Sequence, residues 1–252
     1  MADSQLISSG AIYEHYIPRP EDRITVLFIG SNPQGTDSFL LARFDPVRGR
    51  IPLVFFPPQT MLDSETISQI FQSSGADETR NALSGLLGVP IDRYVSMDTS
   101  AFIAAANIIG SVQFEMREDI VISHGSTSMT LTPGIQLLDG AAVANIINSA
   151  DFDDELARGA MITGLAAEIV NQRIDVVDSV LVDAIFMGVI NLINTDITFM
   201  DYESRKAPAR FLHRLRPNPA YPVSPFGEIS PDGLNFELSE DFIYEVSDIF
   251  GD

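Results

Sequence analysis

Three short apolar runs, residues 24–30 (ITVLFIG), 38–44 (SFLLARF) and 51–56 (IPLVFF), follow one another with little but turn-forming residues between them. Each is too short for a core helix and is bounded by Pro, Gly, Asn or Asp, so the three read as adjacent strands. Residues 31–35 (SNPQG) form the first loop, and Pro46 with Gly49 suits a hairpin turn in the second connection. A chain that starts with three neighbouring strands needs later elements to cover the sheet they make.

The later pattern supplies them. Asp63 and Ser64 are placed to cap a helix to about Ser73, and residues 76–87 read as a second helix ended by Gly88 and Pro90. Residues 93–97 form a strand, Thr99 or Ser100 starts an Ala/Ile-rich helix to Ile109, and 112–116 and 120–131 alternate as strands. From Asp139 the periodicity becomes helical, at 141–147, 154–172 and 176–194. Pro208, Pro217, Pro219, Pro222, Pro225 and Pro231 predict an irregular edge segment, with a last helix near 239–250. The expectation is a mixed α/β fold, with a single domain over 23–252 after an N-terminal extension of 1–22.

With 45% hydrophobic and 20% charged residues, 252 residues can bury a substantial core. Thirty-five acids against 15 Lys and Arg give a formal charge of -20, so a phosphate backbone or an anionic membrane surface is repelled on average, and no nucleic-acid partner is expected. The absence of cysteine removes disulfides, thiolate nucleophiles and Cys-based metal sites. The most apolar run, 176–193, contains Asp178 and Asp183 and reads as a buried helix rather than a membrane span. Residues 1–4 lack the pattern of a signal peptide, so contact with a membrane is expected only through an anchor outside this sequence.

Residues 30–38 (GSNPQGTDS) imitate a phosphate-binding loop in glycine spacing, but Thr36 replaces the lysine, Asp37 adds repulsion, and a strand rather than a helix follows. There is no G-x-S-x-G elbow or H-E-x-x-H, and His15, His124 and His213 are scattered. Asp151, Asp153, Asp154 and Glu155 could attract a hard cation, although acids at a helix start ordinarily cap it and face water. Arg205, Lys206, Arg210, Arg214 and Arg216 concentrate five cations in twelve positions, a conceivable anion strip or a solvated face that Pro208 should break.

Taken in order, several segments resemble the LytR-CpsA-Psr family of cell-envelope enzymes, which move polyprenyl-pyrophosphate-linked polymers onto the bacterial wall. Residues 35–38 (GTDS) stand where the family carries R-S-D-T, and 51–60 where a strand ends in S-I-P-R-D. Residues 86–112 (LLGVPIDRYVSMDTSAFIAAANIIGSV) are similar to the helix, strand and helix before D-x-L-G-G-V, and 134–147 (GIQLLDGAAVANII) to G-x-x-x-L-D-G-x-x-A-L-x-Y-x. The resemblance implies a three-layer α/β/α sandwich around a mixed central β-sheet. It also implies the outer face of a bacterial membrane as location, and a polyprenyl lipid or cell-wall glycopolymer as partner.

It further implies a site, with Asp37 as the catalytic or Mg²⁺-holding carboxylate and Arg158, Ser38 and Arg43 as substrate-binding residues. Departures from the pattern are concentrated there. Gly35, Pro58, Asn148, Ala150 and Met161 stand where arginines that clamp pyrophosphate are expected, and Arg158 remains, with Glu155 three residues before it. That spacing puts the pair on one helix face. Asp37 is then either a relic that closes a turn or a working carboxylate. The leading expectation is a diverged envelope domain that binds, scaffolds or regulates. The alternatives are an active Mg²⁺-dependent phosphotransferase or pyrophosphatase with a clamp rebuilt from Arg158, Arg43 and the 205–216 stretch, and a protein binding an apolar small molecule between residues 103–109 and 176–193.

Overall fold

A computed structural model describes residues 16–32, 36–124 and 127–251. The three opening strands form as the sequence dictates: β1 (Ile24–Ser31), β2 (Ser38–Phe44) and β3 (Ile51–Phe56) pair antiparallel in register, with Gly30 opposite Ser38 and Phe39 opposite Phe56. A short ladder, β4 (Met61–Leu62) with β5 (Glu65–Thr66), leads into α1 (Ile67–Leu87). Then come β6 (Arg93–Asp98), α2 (Thr99–Ile109), β7 (Val112–Met116), β8 (Ile120–His124), β9 (Thr127–Leu131) and β10 (Gly134–Leu138). The second half contains α3 (Gly140–Ser149), α4 (Glu155–Arg173), α5 (Val182–Ile190), β11 (Asn194–Thr195) and α6 (Phe199–Leu215). It ends with β12 (Ala220–Val223), β13 (Gly227–Ile229), β14 (Phe236–Leu238) and α7 (Glu240–Phe250).

The central sheet is mixed and six-stranded, in the order β11-β6-β1-β2-β3-β12, with β6 parallel to β1 and β12 parallel to β3. Alternation along β2 explains why both faces are covered. Phe39 and Leu41 point with Leu27, Ile29, Val54 and Phe56 into a core closed by Ile67, Leu83 and Leu87 of α1 and Phe242, Val246 and Phe250 of α7. On the other face Ile51 and Leu53 pack with Ala167 of α4 and Leu212 of α6. This is the three-layer arrangement expected. A satellite core joins β7, β8 and β10 to α3 and α4 through Val112, Ile122, Leu138, Val143, Ile146 and Leu165.

Three local readings need correction. The two helices expected near 63–73 and 76–87 are both present, the two arms of α1 on either side of Gly75, whose backbone (φ 81°, ψ -175°) is not helical; what changes is the first cap, which is Thr66, in a reciprocal capping box with Gln69, and not Asp63 or Ser64. Pro208 does not break α6, because a Thr198–Asp201 capping box sets the start and the buried Pro208 and Leu212 hold the later turns against the body. The run 176–194 is not one buried helix: a 3-10 turn at Ile174–Asp178 is followed by α5, of which no residue is buried. Among the described residues no helix is long and apolar enough to cross a membrane. The prolines of the tail do frame an edge, as Pro222 sits in the edge strand β12. Residues 1–15 of the expected extension lie outside the described residues; from Tyr16 onward the chain lies on α6, with the Tyr16 ring 6.0 Å from that of Phe211.

Two contacts fix the helices on the second face. Gly159 lets α4 approach β3, since an added Cβ would come within 2.2 Å of the Phe55 ring. Gly159→Ala is therefore expected to cost about 2 to 3 kcal/mol in urea unfolding, and a change under about 0.5 kcal/mol would show that α4 can shift freely. Asp201 ties α6 to β6 by two hydrogen bonds from Arg93, at 2.9 and 3.2 Å. Burial alone would push the Asp201 carboxyl up, but hydrogen bonds from Arg93 and Thr198 outweigh it and bring it down to about 2. Because the folded-state pKa is depressed, this stabilisation is present above pH 4 and lost as pH falls towards 2, amounting to about 2 kcal/mol. Asp201→Asn should flatten the acid limb of the stability curve across that window. An unchanged slope contradicts the assignment.

Candidate functional site

Because β1 and β6 run parallel, with Ser31 opposite Asp98, their carboxyl ends lie together at one end of the sheet, next to Asn32. Crevices beyond carboxyl strand ends are where open α/β sheets bind ligands. Asp37 sits at the bottom, 8% exposed. Its Oδ1 accepts from the Asn32 backbone N–H at 3.1 Å, and its Oδ2 accepts from the Ser68 hydroxyl at 3.1 Å and the Gln72 amide at 3.5 Å. Ser68 and Gln72 lie four residues apart on the first turns of α1 and share one face, where Gln72 also donates to Ser68 at 3.1 Å. The sequence reading missed both. Their only signal was an i, i+4 polar pair among the several polar residues of the helix start, and nothing local said that this face would meet Asp37.

Arg158 is the second fixed point, 6% exposed on the second turn of α4. A guanidinium has five N–H donors. Here Nε donates to the Ile147 carbonyl at 3.0 Å, Nη1 to the Asp37 carbonyl at 3.3 Å and to Glu155 at 2.9 Å, and Nη2 to the Thr36 carbonyl at 3.2 Å and the Ser38 hydroxyl at 2.6 Å. Every donor is taken by the protein itself. The Glu155 pair is the i, i+3 contact expected from the spacing. Asp37, Ser38 and Arg158 are thus brought together, but by a guanidinium acting as a strut between the β1–β2 loop, the end of α3 and the start of α4.

Arg43 is not part of this group. It pairs opposite Thr25 at the start of β1, six residues along β2 from Asp37, about 20 Å away at the rise of a strand. There it donates to the Thr25 hydroxyl at 3.0 Å and to the Gly251 carbonyl at 3.3 Å. The basic stretch is equally remote. Arg205 donates to the Arg23 carbonyl just before β1, and Arg216 to Gly49 in the β2–β3 turn, both at the end of the sheet opposite Asp37. Lys206 bridges Asp183 and Glu203, and Arg210 and Arg214 lie against Asp178.

Beside Arg158 lies a cavity of about 330 Å³ lined by Thr36, Asn148, Ala150, Phe152, Asp154, Glu155 and Arg158. Two of the positions where arginines were expected, Asn148 and Ala150, are in its wall. The Asn148 amide accepts from Asn32 at 3.3 Å and donates to Thr99 at 3.4 Å. Met161 packs into the satellite core, Pro58 is buried with its carbonyl accepting from the Ser68 N–H at 3.2 Å, and Gly35 lies outside the described residues. The wall carries two carboxylates and one guanidinium whose donors are spent.

The group that would hold the magnesium ion implied by the resemblance is the Asp37 carboxylate, whose oxygens accept from the Asn32 N–H, the Ser68 hydroxyl and the Gln72 amide; an ion held by one carboxylate takes its remaining ligands from water and phosphate oxygens. Among the described residues no three His, Asp or Glu side chains gather as a ligand set, the acids at 151–155 included.

The apolar segments 103–109 and 176–193 do meet, where Gly188 of α5 approaches the Ile108 side chain of α2. Only Ala105 of α2 is buried. Helix α5 is clasped to α6 by Phe186, stacked on Tyr202 with ring centroids 3.9 Å apart, and by Asp183, which accepts from Tyr202 and pairs with Lys206 at 2.7 Å. Burial and the hydrogen bond to Asp183 push the Tyr202 hydroxyl up to about 12.

The LytR_cpsA_psr family description matches residues 7–148. No curated protein matches the chain. Among solved structures, a protein of Eubacterium siraeum described as a candidate transcription regulator is similar over 99% of both chains at 19% identity, with a TM-score of 0.85. Bacillus subtilis TagV is similar over 90% of this chain and 95% of its own at 17% identity, with a TM-score of 0.74. TagT bound to LI-WTA is similar over 95% and 94% at 15% identity, with a TM-score of 0.68. At these identities the likeness is one of fold.

Removing the strut tests the site's construction. Arg158→Ala would leave Glu155 and the carbonyls of Thr36, Asp37 and Ile147 without their donor, and a loss of about 3 to 5 kcal/mol is expected in chemical unfolding. A loss below about 1 kcal/mol would mean that the guanidinium does not hold the loop.

Proposed function

The chain belongs to the LytR-CpsA-Psr family, and from that premise we propose that it is a cell-wall polymer assembly domain that binds, positions or regulates its glycopolymer without transferring it. One observation carries the reading: the arginine left at the site has all five donors engaged by Thr36, Asp37, Ser38, Ile147 and Glu155. A pyrophosphate would have to displace those contacts and then face Asp154 and Glu155. Each absent charge-assisted hydrogen bond forgoes about 1.5 to 3 kcal/mol of anion binding. A rebuilt clamp has no material nearby, since Arg43 and the 205–216 stretch serve the opposite end of the sheet. The fold shared with TagT, which was solved bound to LI-WTA, supports a glycopolymer partner. The working location is then the outer face of a bacterial membrane.

A second reading rests on α2 and α5, apolar helices that meet while burying one residue between them. Apart from Ala105, which is buried, and Phe102, which packs against the satellite core, they offer an apolar ligand such as a polyprenyl chain a wall of partly exposed side chains. A lipid consistently retained in native mass spectra supports this reading, and its consistent absence removes it.

The enzymatic question is settled by incubating the protein with a polyprenyl-pyrophosphate-linked glycopolymer, Mg²⁺ and an acceptor. No transfer above background is expected, and Asp37→Ala should match the wild type. Robust turnover that disappears in Asp37→Ala would overturn the proposal.

A further inference from the structure

Losing anion chemistry leaves the cavity beside Arg158 with a definite character of its own. Its volume, about 330 Å³, lies within the range of about 300 to 1,000 Å³ for small-molecule sites. Its polar wall comprises the Asp154 and Glu155 carboxylates, the Asn148 amide and Thr36, with Phe152 as the aromatic member. The Phe152 ring is packed against the satellite core on one side and lines the cavity on another, so it is a rigid apolar surface. Asn148 is held in place by Asn32 and Thr99. Carboxylate and amide oxygens accept from hydroxyl and ammonium groups, and an aromatic ring offers a surface to the C–H groups of a sugar ring. The single cation in the wall has no donor left.

We propose that this cavity takes a phosphate-free saccharide unit and prefers one that carries an ammonium group, an amino sugar. The inference rests on the proposed function, because it assigns a ligand class to the same site once phosphate is excluded from it. The hydroxyls of the sugar donate to Asn148, Asp154 and Glu155, its ammonium is met by the carboxylates, and its ring lies against Phe152.

The test uses the whole chain at physiological salt, with amide NMR spectra recorded during titration by three probes: a glucosamine oligosaccharide, its N-acetylated counterpart, and inorganic pyrophosphate with Mg²⁺. Shifts confined to residues 36 and 148–158 are expected, with the glucosamine oligosaccharide tightest, the acetylated one weaker and pyrophosphate silent. Asp154→Asn removes the charge while keeping a good cap for the Ala157 N–H, which Asp154 accepts at 2.8 Å, so the fold is retained. It should weaken the glucosamine probe by about three- to fivefold and the acetylated probe by less, so that the preference between them narrows. Phe152→Ala should weaken both saccharides alike. Silence from both saccharides, shifts spread over the acidic surface, or an Asp154→Asn variant with an unchanged preference each overturn the saccharide assignment. Saturable pyrophosphate binding at these residues overturns the underlying reading instead, whatever the saccharides do.

Discussion

The guanidinium of Arg158 is where the loop after β1, the end of α3 and the first turns of α4 are joined. Its reach depends on the packing beneath it. Gly159, the next residue, allows α4 to close on the Phe55 ring of β3, and the Arg158 guanidinium carbon then stands 5.7 Å from the centre of that same ring. From there it can meet the carbonyls of Thr36 and Asp37 before β2 and that of Ile147 near the end of α3 at once. A buried charge is tolerated only when paired and fully hydrogen-bonded, and here the pairing comes from Glu155 and the remaining bonds from main-chain oxygens and Ser38. The cleft is therefore well built, with that charge engaged by the protein's own oxygens.

The same logic accounts for the other arginines of an acidic chain. Arg43, Arg48 and Arg50 converge on the last turn of α7, donating to the carbonyls of Gly251, Asp248 and Ile249 at 3.3, 3.0 and 3.2 Å. Cations at a helix C-terminus satisfy orphan carbonyls and complement the dipole. Arg205 and Arg216 fasten α6 to the segments before β1 and after β2. With 15 cations against 35 acids, positive charge is scarce, and much of it joins elements at the far end of the sheet from Asp37. The cavity beside Arg158 combines that engaged guanidinium with the Asp154 and Glu155 carboxylates, the Asn148 amide and Phe152, and the proposed preference for an amino sugar rests on that lining.

Much of this was legible in the residues. The strands 24–30, 38–44 and 51–56 were readable because turn chemistry and short apolar runs are local signals, and the caps of α3, α4 and α7 lie at Asp139, Asp154 and Ser239 for the same reason. The i, i+3 pairing of Glu155 with Arg158 also followed from helix geometry alone. What escaped was tertiary. The first cap of α1 is Thr66 and not Asp63 or Ser64, and Pro208 is carried inside α6 by burial and capping elsewhere. Arg43 looked close to Asp37 in sequence, but six residues of extended strand place it at the opposite end of the sheet. Ser68 and Gln72 could not be assigned to Asp37 until α1 was seen to cross above it.

The central claim is that the Arg158 guanidinium belongs to the protein and not to a ligand. Its side-chain nitrogen resonances, followed by NMR while pyrophosphate and Mg²⁺ are added, report on it directly. Held by five acceptors, the Nη groups should rotate slowly enough to give separate signals, and these should stay in place through the titration. Averaged Nη signals that resolve and shift only as pyrophosphate saturates the protein would contradict the account.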